Sequence, residues 1–510
     1  TSRSQWVSNA QKALQDLPVL AQNRLDESAR RLRAHGLALS LISRGHTSAF
    51  ALTEPTAGSD SGGVKTLASL TKRRVHRDED GVLFFFLDEP NRQERRNLID
   101  ANQVVYDQQN VLYRYDSKSD PTPLVLDEYD YETDRVKTRY YQHRSRRIEF
   151  TDIAQLRTDS DGNDWYEFYE LTGSKMWITN GRMMKIACLY AKSPEGETGF
   201  IVDRHAEGLI VGKDEEKLGQ QGSPTNEIAL DAVRVPRENI LGTEGRGQVN
   251  ALETLNVGRS GLATSSTAVL YDILTRMRQS LEKCSKPSTH HFLGQVAIEL
   301  AVAESISFEL IGLFDRQATR ALRMESAIGK FFNTESLHRG ISAEEDWRGL
   351  EGTTHRFDIE KKRRDHRVLL IYEGTNEIQR FLILKDLIDL TWPQWEKRGI
   401  DSLSDHPSDL MRKRLFHAIQ RTVSRFGRSS WTNVNFQSVF FRLSEMAAIT
   451  KATDALAYRQ IHFEESDESR QEVARITSRM LEIEFDRTEE LFGRGMIHLE
   501  KDRYAPETSL

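Results

Sequence analysis

The chain has 510 residues, 29% of them charged and 38% hydrophobic, with a formal net charge of −6. That length exceeds one compact core, so roughly two to four domains are expected. The charge balance gives no basic surface to draw nucleic acid, no apolar run approaches the ~18–20 residues of a membrane span, and no signal peptide is visible at the start. Cys188 and Cys284, the only cysteines, form no ligand pair or redox motif, which suits a reduced, intracellular setting. Because the first residue is Thr1 and not methionine, a fragment or a processed chain is expected.

In chain order, residues 1–47 place Leu14, Leu17, Leu20, Leu25 and Leu32 at roughly helical spacing and predict one or two helices. Ala49–Asp60 reads as a short strand running into a loop punctuated by Pro55, Gly58 and Ser59. Residues 61–165 alternate charged clusters with β-prone stretches (Val82–Leu87, Val104–Tyr106, Val111–Tyr115) and turn-like pieces (Lys118–Pro123, Thr158–Asp164), predicting a mostly β insertion at the surface. Strand signals follow at Tyr166–Leu171, Ile186–Ala191, Gly199–Val202, Leu209–Val211 and Ile228–Val233, so a small β domain is expected.

Beyond Gly247 the texture becomes helical: Val257–Leu281 and Val296–Phe314 carry apolar residues at three- and four-residue spacing. Near the end, Met411, Leu415, Ile419, Val423 and Phe426 mark one helix face, and Val473, Ile476, Met480 and Leu481 another. Pro393 and Pro407 read as part of a connector between two helical regions. The fold class predicted is therefore α+β and multi-domain: a small antiparallel β domain with a large insertion, an all-α bundle, and an extra C-terminal helical domain. The boundaries read as 1–48 for an N-terminal helical remnant, 49–243 for the β domain with its insertion at about 65–160, 244–392 for the bundle and 393–510 for the extra domain.

Four short segments carry chemistry. In Ala51–Asp60, the hydroxyls of Thr53 and Ser59 flank a proline turn and a glycine, a loop able to aim donors at a polar ligand or simply to close a turn. In Leu171–Gly181, strand alternation puts Trp177 and Thr179 on one face and Met176 and Ile178 on the other. That pairs an aromatic plane with a hydroxyl, suited to a flat heterocycle, or to a half-buried tryptophan beside an Asn180-Gly181 turn. Glu216–Ser223, then Val233–Pro236 and Asn239–Gly242, lead into the helix bearing Arg259 and by themselves read as a hairpin and connector. In Leu369–Arg380, three aliphatic residues and Tyr372 deliver Glu373 directly before Gly374, with Thr375 a candidate N-cap and Glu377 in the first helical turn. A carboxylate ending an apolar run is desolvated, which raises its proton affinity and suits a general base; the bland alternative pairs it with a nearby arginine. There is no Gly-x-Gly-x-x-Gly fingerprint after a strand and no Walker A loop, and Gly242, Gly245 and Gly247 read as a hinge. His290 and His291 lack a matching ligand set, so no metal is expected.

Together, in this order, the four segments resemble the acyl-CoA dehydrogenase family, over roughly 49–60 and 165–390. The resemblance implies FAD-dependent α,β-dehydrogenation of fatty acyl-CoA thioesters to 2-enoyl-CoA. It makes Glu373 the base that removes the α-proton while a hydride leaves the β-carbon for flavin N5. It places the isoalloxazine ring against Trp177 and Thr179, Thr53 at the flavin edge, Ser59 near the CoA portion, and Arg259 near the active-site end of a bundle helix. Gly352, Asp365, Thr375 and Gln379 match family positions near the flavin or in its support, Thr375 as a flavin contact. The thioester oxygen would be met by the Glu373 backbone N–H and a ribityl hydroxyl.

The implied partners are the acyl-CoA, an electron-transfer flavoprotein as acceptor and a second copy in a homodimer, in the cytoplasm or, in a eukaryote, the mitochondrial matrix. Oxygen as acceptor, in an acyl-CoA oxidase, and a catalytically weak flavin-binding or scaffolding relative are the alternatives. The sequence departs from the family pattern in three places. Fewer than the family's roughly hundred N-terminal residues precede Thr53; Lys286–Phe292 lacks the arginine that contacts adenosine, and Gln221 stands where another arginine is common; and an insertion separates the two flavin motifs. The helical extension from about 394 resembles the added domain of the very-long-chain branch.

Overall fold

The computed structural model describes residues 42–43, 45–77, 162–281, 287–316, 322–398, 404, 406–427, 437–462 and 468–502, with short strand segments between 83 and 158. The helices read over residues 1–41, the turn Lys118–Pro123 and Lys286 lie outside the described residues. The chain divides into two compact units, one of residues 1–216 and 221–251, the other of residues 217–220 and 252–510.

The first unit is built on a nine-stranded sheet. Its strands are β1 (Ser48–Ala51), β2 (Leu67–Arg74), β3 (Leu156–Thr158), β4 (Asp164–Thr179), β5 (Ile186–Ser193), β6 (Gly196–Asp203), β7 (Leu209–Asp214), β8 (Thr225–Pro236) and β9 (Ile240–Leu241). Their spatial order is β7-β8-β4-β2-β5-β6-β9, with β1 on β5 and β3 on β4. The sheet is mixed and not purely antiparallel, because β5 runs parallel to β1 and meets β2 in parallel at Lys192–Leu67. Neither pair is joined by a tight hairpin, so nothing forces the antiparallel sense. Residues 67–74, read as the start of the insertion, are a sheet strand: β2 pairs antiparallel with β4 from Leu67–Thr172 to Arg74–Trp165. Further strands lie at His76–Arg77, Leu83–Phe86, Val104–Tyr106, Val111–Tyr113, Glu128–Asp130, Arg135–Thr138 and Arg147–Phe150, in three small separate sheets.

One face of the main sheet supplies the core of this unit, where Tyr169, Leu171, Ile178, Leu189, Phe200, Ile228 and Val233 are buried. The period-2 alternation of β4 breaks before its end. A register shift between Lys175 and Ile178 coincides with a left-handed Trp177, φ 62°. This bulge puts Lys175 and Ile178 both inside, three residues apart, and leaves Trp177 and Thr179 exposed. Met176 and Ile178 therefore do not make the strictly alternating apolar face the sequence suggests.

The second unit is helical: α1 (Gly247–Leu281, which begins in the first unit), α2 (Pro287–Arg316), α3 (Arg323–Arg348), α4 (Ile359–Arg367), α5 (Asn376–Asp386), α6 (Trp392–Arg398), α7 (Pro407–Phe426), α8 (Gln437–His462) and α9 (Glu468–Asp502). The bundle and the C-terminal extension do not keep separate cores. Val302, Phe331 and Ile383 of the bundle share one buried cluster with Met411, Leu415, Ile419, Leu443, Phe485 and Phe492. Each such side chain contributes ~1.5–3 kcal/mol on burial, which favours merging the two apolar faces over leaving both wet. Pro393 lies inside α6 and Pro407 opens α7 at its first turn, where a missing N–H costs nothing. The face of α9 also differs from the reading: Ile476 and Met480 are exposed, while Ala474, Thr477, Leu481, Phe485, Thr488 and Phe492 are buried. Counting the threonines as inward residues shifts the phase of the stripe.

Candidate functional site

In the sheet unit, Thr53 and Trp177 are drawn to one place by a hidden ion pair. Glu54 and Lys175 are both buried, with Lys175 Nζ 2.8 Å from Glu54 Oε1. Thr66 Oγ1 donates to the same oxygen at 2.6 Å, Lys65 N donates to Oε2 at 2.7 Å, and Lys175 Nζ also donates to Leu52 O at 3.2 Å. Burial works to raise the Glu54 pKa, but the hydrogen bonds from Lys175, Thr66 and the backbone outweigh it and hold the carboxyl below its usual range. The turn is fixed to β4 by Met176 N donating to Thr53 O at 2.9 Å. Thr53 is half-buried, Ser59 and Thr179 are exposed, and Trp177 is 53% exposed. An indole held out on a left-handed bulge beside a hydroxyl is an uncovered aromatic platform.

In the helical unit, the turn between the 3-10 segment Val368–Leu370 and α5 carries Glu373 with φ 56° and Gly374 with φ 87°. Two consecutive left-handed residues turn the chain sharply, and only the second is glycine. Thr375 caps α5, its side chain accepting from Ile378 N at 3.3 Å, as its type and position predict. The carbonyls flanking the turn are held from three sides. Arg259 Nε donates to Glu373 O at 3.2 Å, Gln379 Nε2 donates to Glu373 O at 3.2 Å and to Gly374 O at 2.8 Å, and Lys330 Nζ donates to Gly374 O at 3.0 Å.

Arg259 is buried, not an exposed ion-pair partner, and it grips the backbone of Glu373 and not its carboxylate. Its burial lowers its pKa to about 10. The carboxylate itself lies over Gly258 of α1, where a Cβ would come within 2.7 Å of Glu373 Oε2. Oε2 is buried and has no hydrogen-bond partner. Burial raises the Glu373 pKa, and the nearby charges of Arg259 and Lys330 pull the other way. A desolvated carboxylate without a donor on one oxygen can accept a proton from a weak carbon acid.

The remaining expected residues are placed as follows. Gln379 is buried, Nε2 engaged by the turn and Oε1 buried without a partner. Gly352 sits in the 3-10 segment Gly349–Thr353, where a Cβ would approach Glu345 O to 2.9 Å, so its smallness serves a backbone contact. Asp365 accepts from Gln220 N, and a Cβ on Gly219 would sit 2.2 Å from Arg364 O, so the Lys217–Gln220 turn packs closely on α4. Sequence reasoning missed Glu54, Lys175, Gly258 and Lys330. A lysine inside an otherwise apolar buried stretch, as in Ser326–Phe331, was the available signal for Lys330. Among the described residues no His, Cys, Asp and Glu group could hold a metal ion, and no helix is long and apolar enough to cross a membrane.

The mixed sheet unit and the helical unit define a two-unit α+β protein with a glutamate oxygen buried on a left-handed turn. Comparison with known proteins gives that architecture relatives. Residues 149–233 match the acyl-CoA dehydrogenase middle domain and residues 245–388 the acyl-CoA dehydrogenase C-terminal domain. The very long-chain specific acyl-CoA dehydrogenase of Homo sapiens is 31% identical over 258 residues, 47% of this chain and 39% of that protein. The caffeyl-CoA reductase-Etf complex subunit CarC of Acetobacterium woodii is 31% identical over 235 residues, 43% of this chain and 61% of that one. An acyl-CoA dehydrogenase from Bacillus anthracis, solved in complex with FAD, superimposes with a TM-score of 0.60 at 20% identity, covering 88% of this chain and 68% of that one. Residues 149–233 and 245–388 are thus similar to the middle and C-terminal domains of acyl-CoA dehydrogenases. It spans about two-fifths of the length of the very long-chain relatives it matches.

Proposed function

We propose that the protein removes two hydrogens from the α- and β-carbons of an acyl-CoA thioester, with Glu373 as the base and FAD as the acceptor. The observation that carries the reading is the Glu373 carboxylate, its Oε2 buried and unpartnered, held on a doubly left-handed turn. The residues present fit a flavin: Trp177 offers an uncovered indole with Thr179 also exposed two residues on, and Gln379 keeps a buried Oε1 free of protein donors. FAD, when bound, supplies the two-electron acceptor for the hydride that leaves the β-carbon. By family likeness Thr53, Trp177 and Thr179 in the sheet unit are flavin positions, as are Gly352, Thr375 and Gln379 in the helical unit, with Ser59 and Arg259 as substrate positions.

Glu373 takes the α-proton onto its carboxylate and holds it as the α,β-double bond forms. The turn follows directly on the helical core, in which Leu369 is buried and against which Tyr372 packs. Since burial raises its pKa, the base is lost to protonation as pH falls, and turnover should fall with it on the acid side. A fatty acyl chain, an electron-transfer flavoprotein as acceptor and a homodimeric assembly complete the reading by family likeness.

The test is anaerobic. FAD-loaded protein is mixed with saturated acyl-CoAs of increasing length while flavin absorbance is followed. Bleaching that falls by ~10²–10⁴-fold in Glu373→Gln supports the reading. Reoxidation on admitting air, faster than by an electron-transfer flavoprotein, would assign an oxidase. FAD bound but bleached by no acyl-CoA would replace catalysis with a flavin-binding scaffold.

A further inference from the structure

Lys330 has no part in the reaction as written, yet it is the most unusual charge in the helical unit. It lies on α3 with no exposed surface. Its Nζ donates to Gly374 O at 3.0 Å and to Asn376 Oδ1 at 2.6 Å, and among the described residues no carboxylate lies within ion-pair distance of it. Burying an ammonium on two neutral oxygens is costly, since a neutral amide could serve the same acceptors. The cost therefore points to a use for the charge. The groups that face it are Arg259 from α1, Glu335 from α3 itself, Glu373 from the turn and Glu377 from α5; Arg259 in turn feels Arg323 at the start of α3.

We propose that Lys330 is a positioning residue for Glu373: its ammonium fixes the Gly374 carbonyl, and so the left-handed turn, while its charge holds the Glu373 carboxylate ready to accept a proton. The inference rests on the reading of Glu373 as the base. Geometry supplies the first half, and the charge of Lys330, which lowers the proton affinity of Glu373, supplies the second. Gly374 O is reached by Lys330 and Gln379 together, and Glu373 O by Arg259 and Gln379. Three side chains from α1, α3 and α5 thus hold the two carbonyls that set where the carboxylate points. Burial, and then the repulsion of Arg259, lower the Lys330 pKa to about 7, so the supporting charge is itself titratable near neutrality. Above that pH the charge is lost, and the proton affinity of Glu373 climbs.

The experiment compares the full chain with K330M, which removes donors and charge, and K330Q, which keeps a donor without charge. Glutamate labelled with ¹³C at the carboxyl is titrated by NMR, the Glu373 resonance being assigned by its absence from E373Q. This readout needs neither FAD nor substrate. The Glu373 pKa is expected to rise by about one unit in both variants. In FAD-loaded enzyme the acid limb of kcat/KM should move alkaline by the same amount. Below that limb kcat should fall by up to about tenfold, with KM changed less than about twofold. A Glu373 titration identical to the native one in a folded variant overturns the proposal, and K330Q decides it should K330M fail to fold. If E373Q still permits bleaching by acyl-CoA, the base assignment fails, while the titration still reports whether Lys330 tunes that carboxylate.

Discussion

Both units bury a lysine completely, and the two do opposite things. In the sheet unit Lys175 meets Glu54 at 2.8 Å, and the pair is locked by Thr66 and two backbone amides. In the helical unit Lys330 meets only a carbonyl and an amide oxygen. The first charge is spent on holding a loop against a strand, where Thr53 and Trp177 are presented. The second is left without a counter-ion within ion-pair distance, on the turn that carries the proposed base. A buried cation with a partner is scaffolding, and one without it is free to act on its neighbours.

The contrast breaks if the two lysines respond alike to removal. Lys175→Met leaves the Glu54 carboxylate buried and unpaired, and should cost about 3–5 kcal/mol in urea denaturation. The same change at Lys330 should cost less, about 1–3 kcal/mol, because two neutral oxygens lose a donor and no buried anion loses an ion-pair partner. Equal losses would mean that Lys330 is a structural pillar like Lys175.

A comparable effect sharpens the same point from a second buried base that meets a neutral carbonyl. His366 is buried, and burial lowers its pKa to about 4 from 6.5, against the Thr334 carbonyl that its Nε2 meets. Between those two values the unfolded chain binds more protons, so stability must rise with pH from 4 to 6.5, by up to about 3 kcal/mol. His366→Gln should flatten that slope when unfolding midpoints are compared at pH 4.5 and 7. A slope unchanged in the variant would place the titration elsewhere.

The smallest effect probes the turn. Thr375→Ala removes the cap of α5 and should cost ~1 kcal/mol, read from the thermal midpoint. A loss several times larger would mean that the hydroxyl braces the Glu373 turn as well as the helix.

The motifs were legible because they are local. Thr375 followed by an amphipathic stretch announces a cap and a helix, and an apolar run ending in Glu373 announces a desolvated carboxylate. What surrounds those residues was not legible. The bulge at Trp177 depends on a register mismatch between β4 and β8, strands separated by tens of residues. The outward face of α9 was misread because Thr477 and Thr488 pack inward, a choice made by the helices opposite.

By itself, then, the sequence determined most element types and the order of the four segments, since each follows from short-range pattern and side-chain chemistry. Tertiary structure alone decided that the bundle and the C-terminal helices share one core, that Lys175 is neutralised while Lys330 is not, and that Gly258 makes room for the carboxylate. The reason is physical. Burial and charge pairing are set by residues far apart in the chain, and no local spacing encodes which of them will meet.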